Sequence, residues 1–317
     1  MKMTHWMAAL LLAVVTGLAG CREQQTESLP TGNAVYYWRT DLRLDSTERA
    51  FLRTYDIKKV YCRYFDVVMR DGEPMPNATL TFSDTLPAGV EMVPTVYITE
   101  DCMHEPHNGL AEKLVERIRQ MNETNDISGV REIQIDCDYT ARSRRVYYDF
   151  LTAVANCLQR LSSRLGQTSE LDGSRCSDNS SLFTLHFSLL STTIRLHQLQ
   201  MPVPPVDYGV LMLYNTGDPR KWAERNPILD LRDVAPYLKY LGDYELPLAA
   251  AYPVYSWQRT IHGVRVEHTV EADEILHTKQ AVEQKRPELK RAILTYHLDE
   301  ENINRYKPET YEKIYHH

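Results

Sequence analysis

The sequence predicts an α/β fold, a (β/α)8 TIM-type barrel forming one domain over residues 34–317, and three observations predict it. Eight strand-like runs recur along the chain, helical patterns separate most of them, and about 280 residues hold the whole alternation. An open doubly wound sheet is the alternative. It would carry a glycine-rich turn after its first strand, and the segment Trp38 to Asp45 (WRTDLRLD) has none.

The first strand is AVYYWRTD (34–41), followed by a helix that Asp45 or Ser46 opens and that runs through Phe51 and Leu52. KKVYCRYFDVVM (58–69) and VEMVPTVYIT (90–99) are the second and third, rich in β-branched and aromatic residues. Leu110, Leu114, Val115, Ile118 and Met121 then fall at helical spacing. The fourth strand is VREIQIDCD (130–138). Its helix runs from about Arg144 to Leu165, with Val146, Phe150, Val154, Cys157 and Leu161 on one face. Gln167 to Ser181 reads as a Ser/Asp/Gly-rich loop. The fifth strand lies near LLSTTIRLH (189–197), before a Pro-rich crossover at 202–205. YGVLMLYN (208–215) is the sixth, with a helix around Leu229 to Leu241 after it. LPLAAAYPVYSW (246–257) is the seventh and RAILTYHL (291–298) the eighth, and a helix closes the chain. No internal repeat is visible.

Ahead of the barrel, residues 1–20 have the three parts of an export signal. Lys2 is the positive end, Met7 to Val15 an apolar stretch too short to span a bilayer, and Leu18-Ala19-Gly20 a run of small residues before Cys21. The run LAGC resembles the lipobox of bacterial lipoproteins. That resemblance implies cleavage before Cys21, acylation of its thiol and attachment to a membrane of the bacterial cell envelope, since two or more acyl chains anchor stably. An ordinary secretory signal ending near a cysteine is the alternative. Residues 21–33 read as a polar tether. Arg22, rather than Asp, after the cysteine favours the outer membrane by resemblance to known sorting patterns.

Composition is that of an ordinary globular protein, 43% hydrophobic and 25% charged. A net charge of −7 without a basic run argues against nucleic acid as a partner. Cys62, Cys137 and Cys157 fall in apolar patterns and read as buried thiols. Cys102 and Cys176 lie in predicted loops, where pairing is open.

A barrel of this type keeps its chemistry at the C-terminal ends of the strands. Asp41, Asp66, Glu100, Asp101, Asp136, Asp138, Arg195, His197, Tyr214, Asn215, Tyr255, Trp257, Tyr296 and His297 all fall there. Carboxylates among aromatic rings suit a carbohydrate: sugar C–H faces stack on rings, and hydroxyls need acceptors. On strand four, alternation puts Gln134, Asp136 and Asp138 on one face and Ile133, Ile135 and Cys137 on the other. The apolar set faces the helices, so the polar set faces the interior. There, repulsion and desolvation raise one carboxyl's pKa and make a proton donor. Alternatively the two carboxylates are paired for structure with Arg39, Arg63 or Arg195.

The segment QIDCDYT (134–140) resembles the D-I-D-W-E-Y-P segment on strand four of the family-18 glycoside hydrolases, the chitinase and endo-N-acetylglucosaminidase group. MLYN (212–215) is similar to that family's M-x-Y-D, PVY (253–255) to its P-x-Y, and Tyr296 stands where its strand eight carries a tryptophan. The resemblance implies a hydrolase of N-acetylated sugars in which the substrate's own acetamido group attacks, a reaction that calls for no cofactor or metal. It makes Asp138 the acid, Asp136 the orienting carboxylate and Tyr214 the acetamide's partner. It places Gln134, Tyr139, Arg195, Asn215, Tyr255 and Trp257 against the glycan. The departures from the motif all remove acid–base capacity while keeping hydrogen bonding. Asp138 is one methylene shorter than Glu, Gln134 replaces an acid, and Asn215 replaces another. A barrel that binds glycan without cutting it fits them as well, and an envelope scaffold with an interaction surface is the third class.

Other features point elsewhere. Met103-His104-Glu105-Pro106-His107 spaces its histidines three apart with a proline between, unlike a helical zinc pair, and reads as a solvated loop. Arg195 and His197 share a face of strand five, either as part of a satisfied interior network or in contact with substrate. Trp38 and Tyr64 fit either core or subsite wall, and Tyr147 and Tyr148 read as packing against the barrel.

Overall fold

Each of the eight apolar runs forms a strand, and all eight are parallel. The computed structural model describes residues 30–171, 187–221, 225–261 and 264–316. The strands are β1 (Gly32–Tyr37), β2 (Ile57–Arg70), β3 (Glu91–Ile98), β4 (Glu132–Cys137), β5 (Leu189–Ile194), β6 (Tyr208–Met212), β7 (Leu248–Pro253) and β8 (Ala292–Tyr296). Sequence neighbours pair in space, and β1 also pairs with β8, Gly32 against Ala292 through Val35 against Thr295. The sheet therefore closes on itself, and the expected (β/α)8 barrel is the fold. The export signal, Cys21, Cys176 and residues 172–181 of the predicted 167–181 loop lie outside the described residues, and 167–171 are helical instead.

Side-chain alternation sets what faces in and what faces out. On β5 the hydroxyls of Ser191 and Thr193 reach inward to carboxylates on β4. Thr192, between them, faces outward, where its hydroxyl meets Tyr147 and the carbonyl of Ile135. Tyr147 belongs to the helix Arg144–Leu171, which runs six residues past the expected Leu165. As expected, Tyr147 packs against the barrel wall. Cys62, Cys137 and Cys157 are buried free thiols, and so is Cys102.

The helices form the outer layer. Helix α1 (Ser46–Thr54) starts where its capping box does: the Asp45 carboxylate accepts from the Glu48 amide and Glu48 from that of Asp45. α2 (Leu110–Thr124) and α3 (Arg144–Leu171) pack on each other outside β3 and β4. The expected helix at 229–241 is two single turns, α4 (Leu231–Val234) and α5 (Leu238–Leu241). Pro236 opens the tighter turn between them and has no amide to continue an α-helix. A helix the pattern did not show, α6 (Ala272–Lys285), fills the space between β7 and β8. Its buried face mixes Ile275 and Val282 with Thr278, Lys279 and Glu283, which blurs the apolar period. α7 (Glu300–Ile303) and α8 (Pro308–Tyr315) close the ring. Tyr311 of α8 meets Phe51 of α1 edge-on at 5.0 Å, and Tyr315 donates to the Ala34 carbonyl at 3.1 Å, covering the β8–β1 seam.

Two hairpins were not expected. β2 outruns the barrel wall and turns back through the antiparallel strand Glu73–Asn77. Trp257–Ile261 pairs with Val264–His268 above β7. Among the described residues, no helix is long and apolar enough to cross a membrane.

Candidate functional site

Three rungs of polar side chains climb the inner face of β4. Glu132, fully buried, accepts from Lys59 Nζ at 2.6 Å, from Ser191 Oγ at 2.6 Å and from the Tyr208 hydroxyl. A carboxylate this deep stays in the fold because donors replace its water. One rung up, Gln134 Oε1 accepts from the Tyr36 hydroxyl across the barrel at 2.9 Å. The third rung is Asp136, whose Oδ1 accepts from Thr193 Oγ1 at 2.6 Å. Burial pushes the Asp136 carboxyl above its ordinary pKa; Arg195 opposes the rise and Asp138 adds to it. Desolvation and repulsion thus raise one of the pair, as expected, with burial the larger cause.

Arg195 joins the top rungs. β5 ends at Ile194, and Arg195 begins a 3-10 turn over Leu196–Gln200, so its side chain crosses the barrel mouth. Its Nε donates to Asp138 Oδ1, Nη2 lies 3.6 Å from Asp136 Oδ1, and Nη1 is directed at Met212 Sδ. The guanidinium lies over the Tyr214 ring at 5.8 Å. Burial works against its charge, but Asp136, Asp138 and Tyr214 outweigh that and raise its pKa further. Of the three arginines considered, Arg195 alone pairs with these carboxylates: Arg63 pairs with Asp66 and Arg39 with Glu48.

Aromatic rings wall the other half of the mouth. Tyr296 stacks on Tyr214 at 4.7 Å, meets Tyr255 edge-on at 5.3 Å and packs on Trp38 at 5.6 Å. The Tyr255 hydroxyl donates to Asn215 Oδ1 at 2.6 Å. Asn215 sits in the left-handed region at φ +53°, which asparagine tolerates better than most residues. Burial raises the pKa of the Tyr214 hydroxyl and Arg195 opposes the rise. A cavity of about 270 Å³ opens between these groups, bordered by Asp138, Arg195, His197, Tyr214, Asn215 and Tyr237.

The structure therefore brings Asp136, Asp138, Arg195, Tyr214, Asn215 and Tyr255 together, with Trp257 beside Tyr255. It does not bring the other two expected residues to the mouth. Tyr139 is fully buried against helix α3, stacked on Tyr147 at 4.8 Å, because it continues the outward-facing set of Ile133, Ile135 and Cys137. Gln134 lies a full rung below Asp136 and is wholly buried, its amide spent on Tyr36 and Ser191. Neither contacts the cavity. His197 does border it, but from the 3-10 turn and not from a shared strand face with Arg195. Tyr64 is core, donating to Asn122 Oδ1 at 2.7 Å. Thr193 and Tyr97 were missed. The period-two reading of β5 places Thr193 on the face of Arg195. Tyr97 shares its face of β3 with Thr95, and burial, then Asp138 and Asp136, push its pKa up to about 12. Tyr237 comes from the broken helical segment and gave no signal. His104 pairs with Glu100 at 2.6 Å. Among the described residues, no three His, Cys, Asp or Glu side chains are grouped to hold a metal ion.

No family model and no curated protein matches the chain. Solved structures match its fold. A chitinase from Bacteroides thetaiotaomicron superposes with a TM-score of 0.51, 10% identical, over 90% of this chain and 96% of its own. A family GH18 chitinase from Cycas revoluta, solved with allosamidin, gives 0.52 at 9% identity, over 89% of this chain and 98% of its own. The chain has the barrel fold of the family-18 chitinases, as the strand motifs implied.

Proposed function

We propose that this protein is a glycan-binding barrel of the bacterial cell envelope, lipid-anchored through Cys21, whose mouth holds N-acetylated sugar without hydrolysing it. One observation carries the choice of binding over cleavage: Arg195 spans Asp136 and Asp138. A guanidinium donates and never accepts, so Asp138 Oδ1, facing Arg195 Nε, is engaged as an acceptor. The carboxyl that the resemblance makes the acid therefore has one oxygen left for a substrate. Asp138 is also a methylene too short to stand where the longer Glu stands.

What remains suits recognition. The Tyr214 hydroxyl has no protein hydrogen-bond partner among the described residues, and it borders the cavity with its ring packed on Tyr296. An acetamide oxygen supplies the acceptor it lacks. Asn215 spends Oδ1 on Tyr255 and keeps its amide N–H groups for sugar oxygens. Asp138 Oδ2 accepts a sugar hydroxyl, and Tyr255, buried beside the cavity, holds Asn215 in place for the sugar. At about 270 Å³ the cavity lies at the small end of ligand sites, which fits one sugar residue of a chain.

The test uses residues 22–317 against N-acetylglucosamine oligosaccharides, with binding by calorimetry and cleavage by chromatography. The expected result is saturable binding, weakened about tenfold or more by Tyr255→Ala, with no product. Product that Asp138→Asn abolishes, with binding intact, would make this a hydrolase. Neither binding nor product would leave an envelope scaffold as the function.

A further inference from the structure

We infer that the barrel stands on the membrane with its mouth turned outward, so that it takes glycan chains lying beyond the bilayer and not sugar borne on the headgroups of the membrane that carries it. The inference rests on the lipid anchor proposed above and supplies the substrate class that goes with it.

The chain enters the barrel on the face opposite the mouth. Gly32 pairs with Ala292 and Asn33 with Ile57, the first residues of β8 and β2. All eight strands are parallel, so this is the N-terminal end of every strand. Asp138, Arg195, Tyr214 and Tyr296 lie at the other end. The entry point is fixed. Asn33 Nδ2 donates to the Tyr55 carbonyl at 2.8 Å, and the Tyr315 hydroxyl holds the Ala34 carbonyl at 3.1 Å. The first turn of β1 therefore does not peel away to lengthen the tether.

Length decides the orientation. Residues 21–30, fully extended, reach at most about 35 Å. A globule of about 290 residues has a radius of about 24 Å, so the path over its surface from one pole to the other is about 75 Å. A tether rising from the entry face cannot wrap that distance, whatever conformation it adopts. The entry face stays near the headgroups and the mouth stays roughly one barrel length away. The cavity of about 630 Å³ beside the β3 and β4 entrances, lined in part by Asp84, Glu91, Asp126 and Arg131, lies at the end away from the mouth.

The experiment uses full-length protein, acylated in bacterial membranes and reconstituted in vesicles of phosphatidylethanolamine and phosphatidylglycerol. A fluorophore is placed by Ser128→Cys, in the loop before β4, or by Ala141→Cys, in the loop after it. Both positions are exposed, the cysteines at 62, 102, 137 and 157 are buried, and both labelled proteins carry Cys176→Ser so that the introduced thiol takes the label. Nitroxide on the lipid headgroups should quench the label at 128 several-fold more than the label at 141. Inserting about forty residues into the tether should remove the difference, because the reach then exceeds the polar path. Equal or reversed quenching with the native tether overturns the inference, as does a difference that survives the long tether. An N-terminal peptide mass without acyl chains overturns it through the anchor, while glycan binding by the soluble form is read separately. With binding in hand, soluble oligosaccharide should bind the anchored protein as it binds the soluble one, and a glycolipid in the same vesicles should not compete.

Discussion

With Nε on Asp138 and Nη2 3.6 Å from Asp136, Arg195 is the one cation paired with both carboxylates among the described residues, and removing it takes that counter-charge from each. Breaking a buried pair costs about 3–5 kcal/mol, and Asp138 is half in water, so Arg195→Ala should lose about 3 kcal/mol at pH 7 by denaturant unfolding. The loss should shrink toward pH 4, as Asp136 takes up its proton. Asp136 itself gives a prediction of opposite sign. Burial lifts its pKa above the ordinary 3.8, so the folded state holds that proton more tightly than the unfolded chain. Its contribution is full below 3.8 and is lost as pH climbs through the raised value. Asp136→Asn keeps an acceptor for Thr193, so the variant should melt above wild type at pH 7 and lose that advantage near pH 4. A variant less stable than wild type at both pH values would show the charge to be needed for packing. His297 has the opposite dependence: burial lowers its pKa below 6.5, against the pull of Asp299, so its contribution is full above 6.5 and fades as pH falls through that lowered value.

Among the elements, α1 rests on one reciprocal cap. Asp45→Ala removes the acceptor for the Glu48 amide, while the Asp45 backbone amide still donates to the Glu48 carboxylate, which is buried and paired with Arg39. The expected cost is about 1 kcal/mol by denaturant unfolding. β6 is tighter still: a Cβ at Gly209 would lie 2.7 Å from Ile194 Cγ1 and 3.0 Å from Leu248 Cδ2. Gly209→Ala should therefore cost about 1–3 kcal/mol by overpacking. Element type was legible for all eight strands, because each is an apolar run of buried β-formers between polar breaks. It failed at α6, whose buried face holds Thr278, Lys279 and Glu283, and at the two hairpins, one of which has the mostly exposed strand Glu73–Asn77.

At the scale of the whole molecule, Glu132 ties β4 to β2 through Lys59, to β5 through Ser191 and to β6 through Tyr208. Three strand pairings therefore share one carboxylate. Glu132→Ala should lose about 3–5 kcal/mol and leave Lys59 without its partner. If the barrel folds as one unit, the denaturant slope stays at the wild-type value. A fall in slope would mean that this end of the barrel opens separately.

The alternation on β4 by itself determined that Glu132, Gln134 and Asp136 face inward and Ile133, Ile135 and Cys137 outward, because a pleated strand has a period of two and its apolar side must meet the helices. The count of strands determined the barrel, and the placement of polar residues after strand ends determined where the mouth is. The same alternation carries Tyr139 outward with Cys137, and only the family motif had set it against the glycan. One fact of the mouth was not in the pattern. Which of three arginines meets Asp136 and Asp138 depends on the closure of the barrel, which brings β5 beside β4 and sends Arg63 and Arg39 to other partners. Local periodicity fixes faces; only the closed sheet fixes distances between residues far apart in the chain.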